Sequence, residues 1–378
     1  MRKQIFVLLL ILCSTGMASS ARAQNVTDDL KHTSRWQQSD DDSKRMVEIK
    51  GRVEFTDDYR EVRDVTPGGY VKIEEEREGT SRRYEVRHQV EGSLTRSYFV
   101  NGQAQTIDQV AREWIATMIL QAVRQGGLDA ERRVQTILRQ RGAAGVLQEI
   151  DQIQSDYARR IYFEALIKFG NLDGSALQSV LRKAAAQISS DYEQAQLLIG
   201  VAPSLTSNPA AMNEFFAAVA TVKSDYEHSR ILKTVLEKNP QNRALLVAVA
   251  SSTKTIKSDY EKAGVLKHVA ARYLDDSALH ELFFQTVNTI RSDYEHRGVL
   301  TALIKNKDLS AAVLNYMLSS AALISSDYEK ATFLLEVSNT YTGDAQLKEA
   351  FLKVVETIKS DYERGRVLSA LLKNKQIG

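Results

Sequence analysis

Between residues 46 and 105 the apolar positions recur at every second residue. Val47, Ile49, Val53 and Phe55 alternate with Glu48, Lys50, Arg52 and Glu54, the pattern of a strand buried on one face. Similar runs follow at 70–76, at 83–90 (Tyr84, Val86, His88 and Val90 on one face) and at 95–100. Short glycine-containing turns separate them, and in Thr66-Pro-Gly-Gly-Tyr70 proline presets one dihedral while glycine permits a positive φ. Residues 46–105 are therefore expected to form a small antiparallel β-meander. Four or so strands with one apolar face need a cover. A connecting helix within residues 106–128 offers one through Val110, Trp114, Met118 and Ile119.

After Gly126 and Gly127 the pattern becomes helical and stays so. Ser-Asp-Tyr recurs seven times, with its aspartate at Asp156, Asp191, Asp225, Asp259, Asp293, Asp327 and Asp361, a first gap of 35 residues and then gaps of 34. Self-similarity at this period marks stacked helical hairpins. The fold class expected is α+β, mainly α: a β-meander followed by an α-solenoid of about seven 34-residue hairpins over residues 129–378, of the HEAT or tetratricopeptide kind. Ile188, Val222, Ile256, Ile290, Ile324 and Ile358 precede the aspartates by three residues. Leu198, Leu232, Leu266, Leu300, Leu334 and Leu368 follow them by seven, so each second helix carries one apolar stripe.

The motif itself is a helix start. With Ser190, Ser224, Ser258, Ser292, Ser326 and Ser360 as N-caps, Glu193, Glu227, Glu261, Glu295, Glu329 and Glu363 fall at the third helical position. This is the capping box, in which serine and glutamate each satisfy an orphan backbone donor; a serine cap is worth about 1 kcal/mol. Ala158 replaces the glutamate in the first copy. The box does not explain Tyr157, Tyr192, Tyr226, Tyr260, Tyr294, Tyr328 and Tyr362. Either each ring wedges against the next repeat with its hydroxyl on a neighbouring cap, or the tyrosines form a partner-binding stripe with Asp191, Asp225, Asp259, Asp293, Asp327 and Asp361.

Composition narrows the function. Of 378 residues 26% are charged and 43% hydrophobic, an ordinary globular balance. The formal charge of +2 gives no basic field for nucleic acid. Residues 1–23 have a basic start (Arg2, Lys3), an apolar run from Ile5 to Leu12 and the Ala21-Arg22-Ala23 sequence, the layout of a secretory signal peptide. Its loss takes the formal charge from +2 to −1 and removes Cys13, the single cysteine, so no disulfide or thiolate chemistry remains. No transmembrane segment is expected after signal removal, and the periplasm is the expected compartment. Residues 24–44, polar and carrying Asp40, Asp41 and Asp42, are expected to be a disordered linker.

No catalytic constellation stands out. His280 opens His-Glu-Leu-Phe-Phe, without the second histidine of a zinc motif. His228 and His296 occupy one register two repeats apart, roughly 20 Å by helix stacking, too far to share a metal. Phosphate-loop and dinucleotide glycine patterns are absent. No cofactor, metal or catalytic residue is therefore expected, and the protein is not expected to be an enzyme.

The stretch from "EFTDDYREVRDVTPGGYVKIEEEREGTSRRYEVR" through "AREWIATMI" and "AERRVQTILRQRGAAGVLQEI" to the "SDYEKA" hairpins resembles a bacterial pattern. It is similar to the extracytoplasmic C-terminal repeat region attached to some membrane metallopeptidases of the beta-lactam-sensor type, and to stand-alone secreted relatives. The likeness covers about residues 46–378. Those peptidases have transmembrane helices and a zinc motif that this chain lacks, so no catalytic residue carries over. The resemblance implies a detached sensory or docking module of the envelope. Taken together, the sequence suggests a non-catalytic periplasmic scaffold that binds a protein partner. The alternatives are an envelope assembly component whose β-domain makes the contacts, or an envelope hydrolase.

Overall fold

A computed structural model describes residues 5–6, 30–31, 33–89, 92–272, 277–306, 309–338 and 345–373. Two compact units divide the chain, residues 1–171 and 172–378. The structure is α+β and mainly α, with nine strands followed by fifteen α-helices among the described residues.

In the first unit the strands are β1 (Ile5–Phe6), β2 (Thr33–Ser39), β3 (Ser43–Lys50), β4 (Val53–Phe55), β5 (Val62–Val65), β6 (Tyr70–Arg77), β7 (Thr80–His88), β8 (Leu94–Val100) and β9 (Gln103–Gln105). Seven of them make one antiparallel sheet in the order β1-β2-β3-β6-β7-β8-β9, and β4–β5 form a separate ribbon. Val47, Ile49, Val71, Ile73, Tyr84 and Val86 alternate onto one face and are buried, as the period of two requires.

The expected linker is corrected here. Residues 33–39 are strand β2 and residues 43–44 begin β3. Trp36, 1% exposed, plugs the sheet core, so one large ring anchors a strand whose other residues are polar. The three aspartates lie in its hairpin turn: Asp40 N–H donates to the Ser43 carbonyl at 2.9 Å, and Asp40 Oδ1 accepts from Ser43 Oγ at 2.9 Å. The remainder of the linker before Leu30 and, apart from β1, the signal segment lie outside the described residues.

Helix α1 (Gln109–Gly126) covers the sheet through Ala111, Trp114, Ile115, Met118, Ile119, Ala122 and Val123. Val110, expected on this face, is 63% exposed, because it sits one position off the buried stripe. The helix ends where it must. A Cβ on Gly126 would lie 2.7 Å from a Trp36 ring carbon, and Gly127 adopts the left-handed conformation that closes helices.

Helices α2 (Ala130–Ile150, interrupted at Gly142) and α3 (Asp156–Phe169) belong to this same unit. Residues 129–171, expected to belong to the solenoid, are therefore part of the sheet's unit. The reason is a polar cluster. Glu149, 5% exposed, takes Arg124 Nε at 2.7 Å and Arg133 Nη2 at 2.7 Å. Burial pushes its carboxyl up, and the two guanidiniums outweigh that and hold it below the ordinary value. Tyr59 donates to Asp129 at 3.0 Å, and the Tyr162 hydroxyl donates to the Val123 carbonyl at 3.3 Å.

The second unit is a run of helix pairs: α4 (Gly174–Gln187) with α5 (Asp191–Val201), α6 (Met212–Val219) with α7 (Asp225–Lys238), and α8 (Arg243–Thr253) with α9 (Asp259–Ala270). Then come α10 (Ser277–Val287) with α11 (Asp293–Ile304), α12 (Ala311–Ala321) with α13 (Asp327–Ser338), and α14 (Ala345–Glu356) with α15 (Asp361–Lys373). First helices lie against first helices and second against second, giving two stacked layers. Ile188, Val222, Ile256, Ile290, Ile324 and Ile358 are all buried where the chain turns between the helices of a pair. Leu198, Leu232, Leu266, Leu300 and Leu334 are buried too, with Leu368 half-buried.

Candidate functional site

Each second helix starts as the serine pattern demands. Ser190, Ser224, Ser258, Ser292, Ser326 and Ser360 accept the backbone N–H three residues on, at 3.3–3.4 Å. From Ser224 to Ser360 the N–H that a capping-box glutamate would take is bonded to the aspartate of the preceding repeat, so these five glutamates do not complete the box.

Those aspartates form a ladder. Asp191 accepts the N–H groups of Lys223 and Ser224 at 3.0 and 2.8 Å; Asp225 accepts those of Lys257 and Ser258 at 3.1 and 2.7 Å. Asp259 does the same for Arg291 and Ser292, Asp293 for Ser325 and Ser326, and Asp327 for Lys359 and Ser360. The Ser360 and Lys359 amides hold the Asp327 carboxyl below its ordinary value. Each aspartate thus ties one helix start to the next turn. Within the first unit Gln125 of α1 does this work for the first copy, its Oε1 accepting Gln154 N–H at 2.8 Å and Ser155 N–H at 3.2 Å. Asp361 is 96% exposed at its side chain and among the described residues pairs only with Arg364, 3.4 Å away on its own helix.

The glutamates turn to cations instead. Glu261 meets Lys233 at 3.4 Å and Glu295 meets Lys267 at 2.8 Å, both reaching across from the preceding second helix, and Glu329 is bonded to Arg297 in the same way. Glu227 and Glu363 pair with Arg230 and Arg366 on their own helices at 2.5 and 2.6 Å.

A further column was not foreseen from the sequence. In five repeats the residue after the glutamate is polar yet buried and bonds the far end of the next repeat's first helix, whereas Arg364 in the last is half-buried and donates to the Ile358 carbonyl of its own repeat. Gln194 reaches Thr221 at 2.6 Å, Lys262 reaches Thr289 at 2.8 Å and Lys330 reaches Thr357 at 2.8 Å. His228 Nε2 lies 2.9 Å from Ser252 Oγ, and His296 Nε2 lies 2.8 Å from Ser320 Oγ. Burial lowers both histidines, His296 to about 4, so they are neutral at pH 7. The signal was there: polar residues at a fixed offset among apolar ones.

The tyrosines have no place in this scheme. Their rings are not wedged between repeats. Tyr192, Tyr226, Tyr260, Tyr294, Tyr328 and Tyr362 are 51–74% exposed. Tyr192 accepts from Gln196 at 2.8 Å; the other five hydroxyls make no hydrogen bond among the described residues. Arg230 lies 5.8 Å from the Tyr226 ring centre and Arg297 5.4 Å from that of Tyr294. Arg366 stands between two successive rings, 5.9 Å from Tyr328 and 6.0 Å from Tyr362. The result is a column of exposed rings, four of them with a guanidinium over a face.

The β-sheet offers a weaker candidate. A groove of about 480 Å³ over its outer face is lined by Arg35, Lys44, Glu48, Lys72, Glu74 and Arg83 among others. Its charges oppose one another across the strands, Lys44 beside Glu76 and Glu74 beside Arg83, with Lys72 2.7 Å from Glu74. That is a neutralised, wet lattice. Among the described residues no group of three or more histidines, cysteines or acids could hold a metal ion, and no helix is long and apolar enough to cross a membrane. No family model, curated protein or solved structure matches this chain.

Proposed function

We propose that this protein is a non-catalytic, periplasmic protein-binding scaffold of the cell envelope, and that the tyrosine column of residues 192–362 is its docking surface. One observation carries the reading. In the motif, serine caps, aspartate staples the next repeat and glutamate holds a cation, whereas no tyrosine of the six is buried and none bonds a neighbouring repeat's cap among the described residues. Large exposed aromatic arrays mark interaction surfaces, and tyrosine gives much contact area for little lost freedom. The resemblance to envelope sensor modules and the signal-like first residues favour the same role and compartment.

The test is a chain with Tyr226, Tyr260 and Tyr294 changed to Ala, compared with the parent for melting and for envelope proteins that co-purify. Unchanged melting with loss of a co-purifying protein supports docking at the column. Lower melting with an unchanged partner set makes the rings structural and moves the search to the sheet.

A further inference from the structure

We infer that the first unit holds a binding site separate from the tyrosine column. It is a cleft between the β6–β7 hairpin and helix α1 that takes a monocarboxylate bearing a short apolar group, with the carboxylate on Arg82 and the apolar group against Val110.

The cleft measures about 550 Å³, within the roughly 300–1,000 Å³ of small-molecule sites. Arg45, Glu75, Arg77 and Arg82 of the sheet and Val110 and Trp114 of the helix wall it. Arg45, Glu75 and Arg82 stand opposite one another in register across β3, β6 and β7, and the period of two puts them on the face that Val47, Ile73 and Tyr84 share. Glu75 is committed elsewhere: Oε1 accepts from Arg45 Nε at 3.0 Å and Oε2 from Trp114 Nε1 at 2.7 Å. Arg77 Nε lies 3.4 Å from Glu78, and Glu113 accepts from Gln109 at 2.8 Å. Arg82 is half-buried, and its guanidinium has no hydrogen bond or ion pair among the described residues. Its charge reaches Tyr98 on the same face, where burial raises the phenol and Arg82 works against that rise.

Three features select the ligand. A guanidinium presents a planar fork of donors, which a carboxylate fills with two parallel bonds. The walls carry Arg45, Arg77 and Arg82 against Glu75, Glu78 and Glu113, so no surplus field holds a dianion such as phosphate, and three carboxylates repel its second charge. What the cleft offers is one set of free donors, enough for a single negative charge. Val110 supplies the third feature: it is an apolar side chain left 63% exposed on the same wall as Trp114 and Met118, and a short aliphatic group laid on it leaves water. That chemistry belongs equally to a small free acid and to the last residue of a peptide chain.

The experiment is titration of the whole chain with N-acetyl-leucine, read by calorimetry and by tryptophan fluorescence, since Trp114 lines the cleft. N-acetyl-leucine amide, acetate and inorganic phosphate serve as comparisons. The acid is expected to bind with a change in fluorescence, the amide and acetate at least about tenfold more weakly, and phosphate not at all. Arg82→Gln should weaken binding at least about tenfold and melt as the parent does, because the Arg82 guanidinium bonds nothing among the described residues. Val110→Ser should weaken binding severalfold and keep the preference for acid over amide. A short peptide ending in leucine with a free carboxylate separates the two sources. Tighter binding than N-acetyl-leucine makes the ligand a protein C-terminus; equal or weaker binding makes it a small free acid. The inference is overturned if N-acetyl-leucine fails to bind at millimolar concentration, if the amide or phosphate binds as well as the acid, or if Arg82→Gln leaves the affinity unchanged. The variant with Tyr226, Tyr260 and Tyr294 changed to Ala should bind the acid as the parent does, so the cleft and the tyrosine column are tested apart.

Discussion

The two units bury polar groups in opposite ways. In residues 1–171 buried charge is gathered at one point, where Glu149 serves Arg124 and Arg133 under a sheet-and-helix core built from strands far apart in sequence. In residues 172–378 it is spread along the chain: most repeats carry an aspartate bonded to the next turn, a glutamate bonded to a cation and a buried polar side chain after that glutamate. The first design concentrates stability in a few irreplaceable groups. The second makes it approximately a sum over repeats and their interfaces. Both tryptophans, Trp36 and Trp114, lie in the first unit, so tryptophan fluorescence follows that unit and far-ultraviolet circular dichroism follows chiefly the helices.

The sharpest way to break this contrast is Glu149→Gln. Removing the buried charge leaves the half-buried guanidiniums of Arg124 and Arg133 short of their partner, and breaking a buried pair costs about 3–5 kcal/mol. The urea midpoint read by tryptophan fluorescence should fall accordingly. A loss below about 1 kcal/mol would mean that the cluster is not the keystone of this unit.

Next in size is Asp259→Ala, which orphans the Arg291 and Ser292 amides. Two lost bonds at about 1–1.5 kcal/mol each predict a loss of roughly 2–3 kcal/mol, read by circular dichroism and leaving the tryptophan transition in place. Asp361→Ala is its control, because Asp361 ties no following turn among the described residues; its melting midpoint should match the parent's. Equal effects at the two positions would show that the aspartates act on their own helix ends and not as a ladder.

A comparable loss can be induced by acid. His296 is buried and neutral, with its value lowered to about 4, while an unfolded histidine titrates near 6.5. Between those values the unfolded chain binds a proton that the folded chain refuses. Stability is therefore full above about pH 6.5 and falls as the pH drops toward 4, by up to about 3 kcal/mol. His228 adds in the same direction. Because carboxylates begin to titrate at the lower end, the check is the difference between parent and His296→Gln in urea midpoint at pH 7 and pH 4.5. The variant should lose less on acidification; parallel losses would place the pH dependence elsewhere.

These predictions also mark what the sequence could tell. The serine caps were legible because they are local, decided within a few residues of chain, and the period of 34 because one short motif returns at a fixed interval. The partner of each aspartate was not, since its carboxylate bonds amides 32 and 33 residues on, a relation that appears only when repeats are stacked. Strand β2 was hidden for a different reason: in Thr33–Ser39 only Trp36 is apolar, and Gln38 also points inward, 9% exposed. One ring carries too little periodicity to be counted as a strand. The tyrosines were ambiguous in principle, because an aromatic ring at a helix start fits both a wedge and an open surface, and exposure decides between them.

The smallest effect is the one that decides most about the tyrosines, and it compares one residue type across the two units. Tyr162 is fully buried and its hydroxyl donates to the Val123 carbonyl at 3.3 Å, so Tyr162→Phe should cost about 1 kcal/mol. Tyr260 is 69% exposed and makes no hydrogen bond among the described residues. Tyr260→Phe should therefore change nothing measurable, and even Tyr260→Ala should stay within about 0.5 kcal/mol. If Tyr260→Ala instead destabilised the helices as much as Asp259→Ala does, the ring would be a packing element after all. Its repetition would then follow from the stacking of repeats, and the tyrosine column would lose the argument that makes it a docking surface.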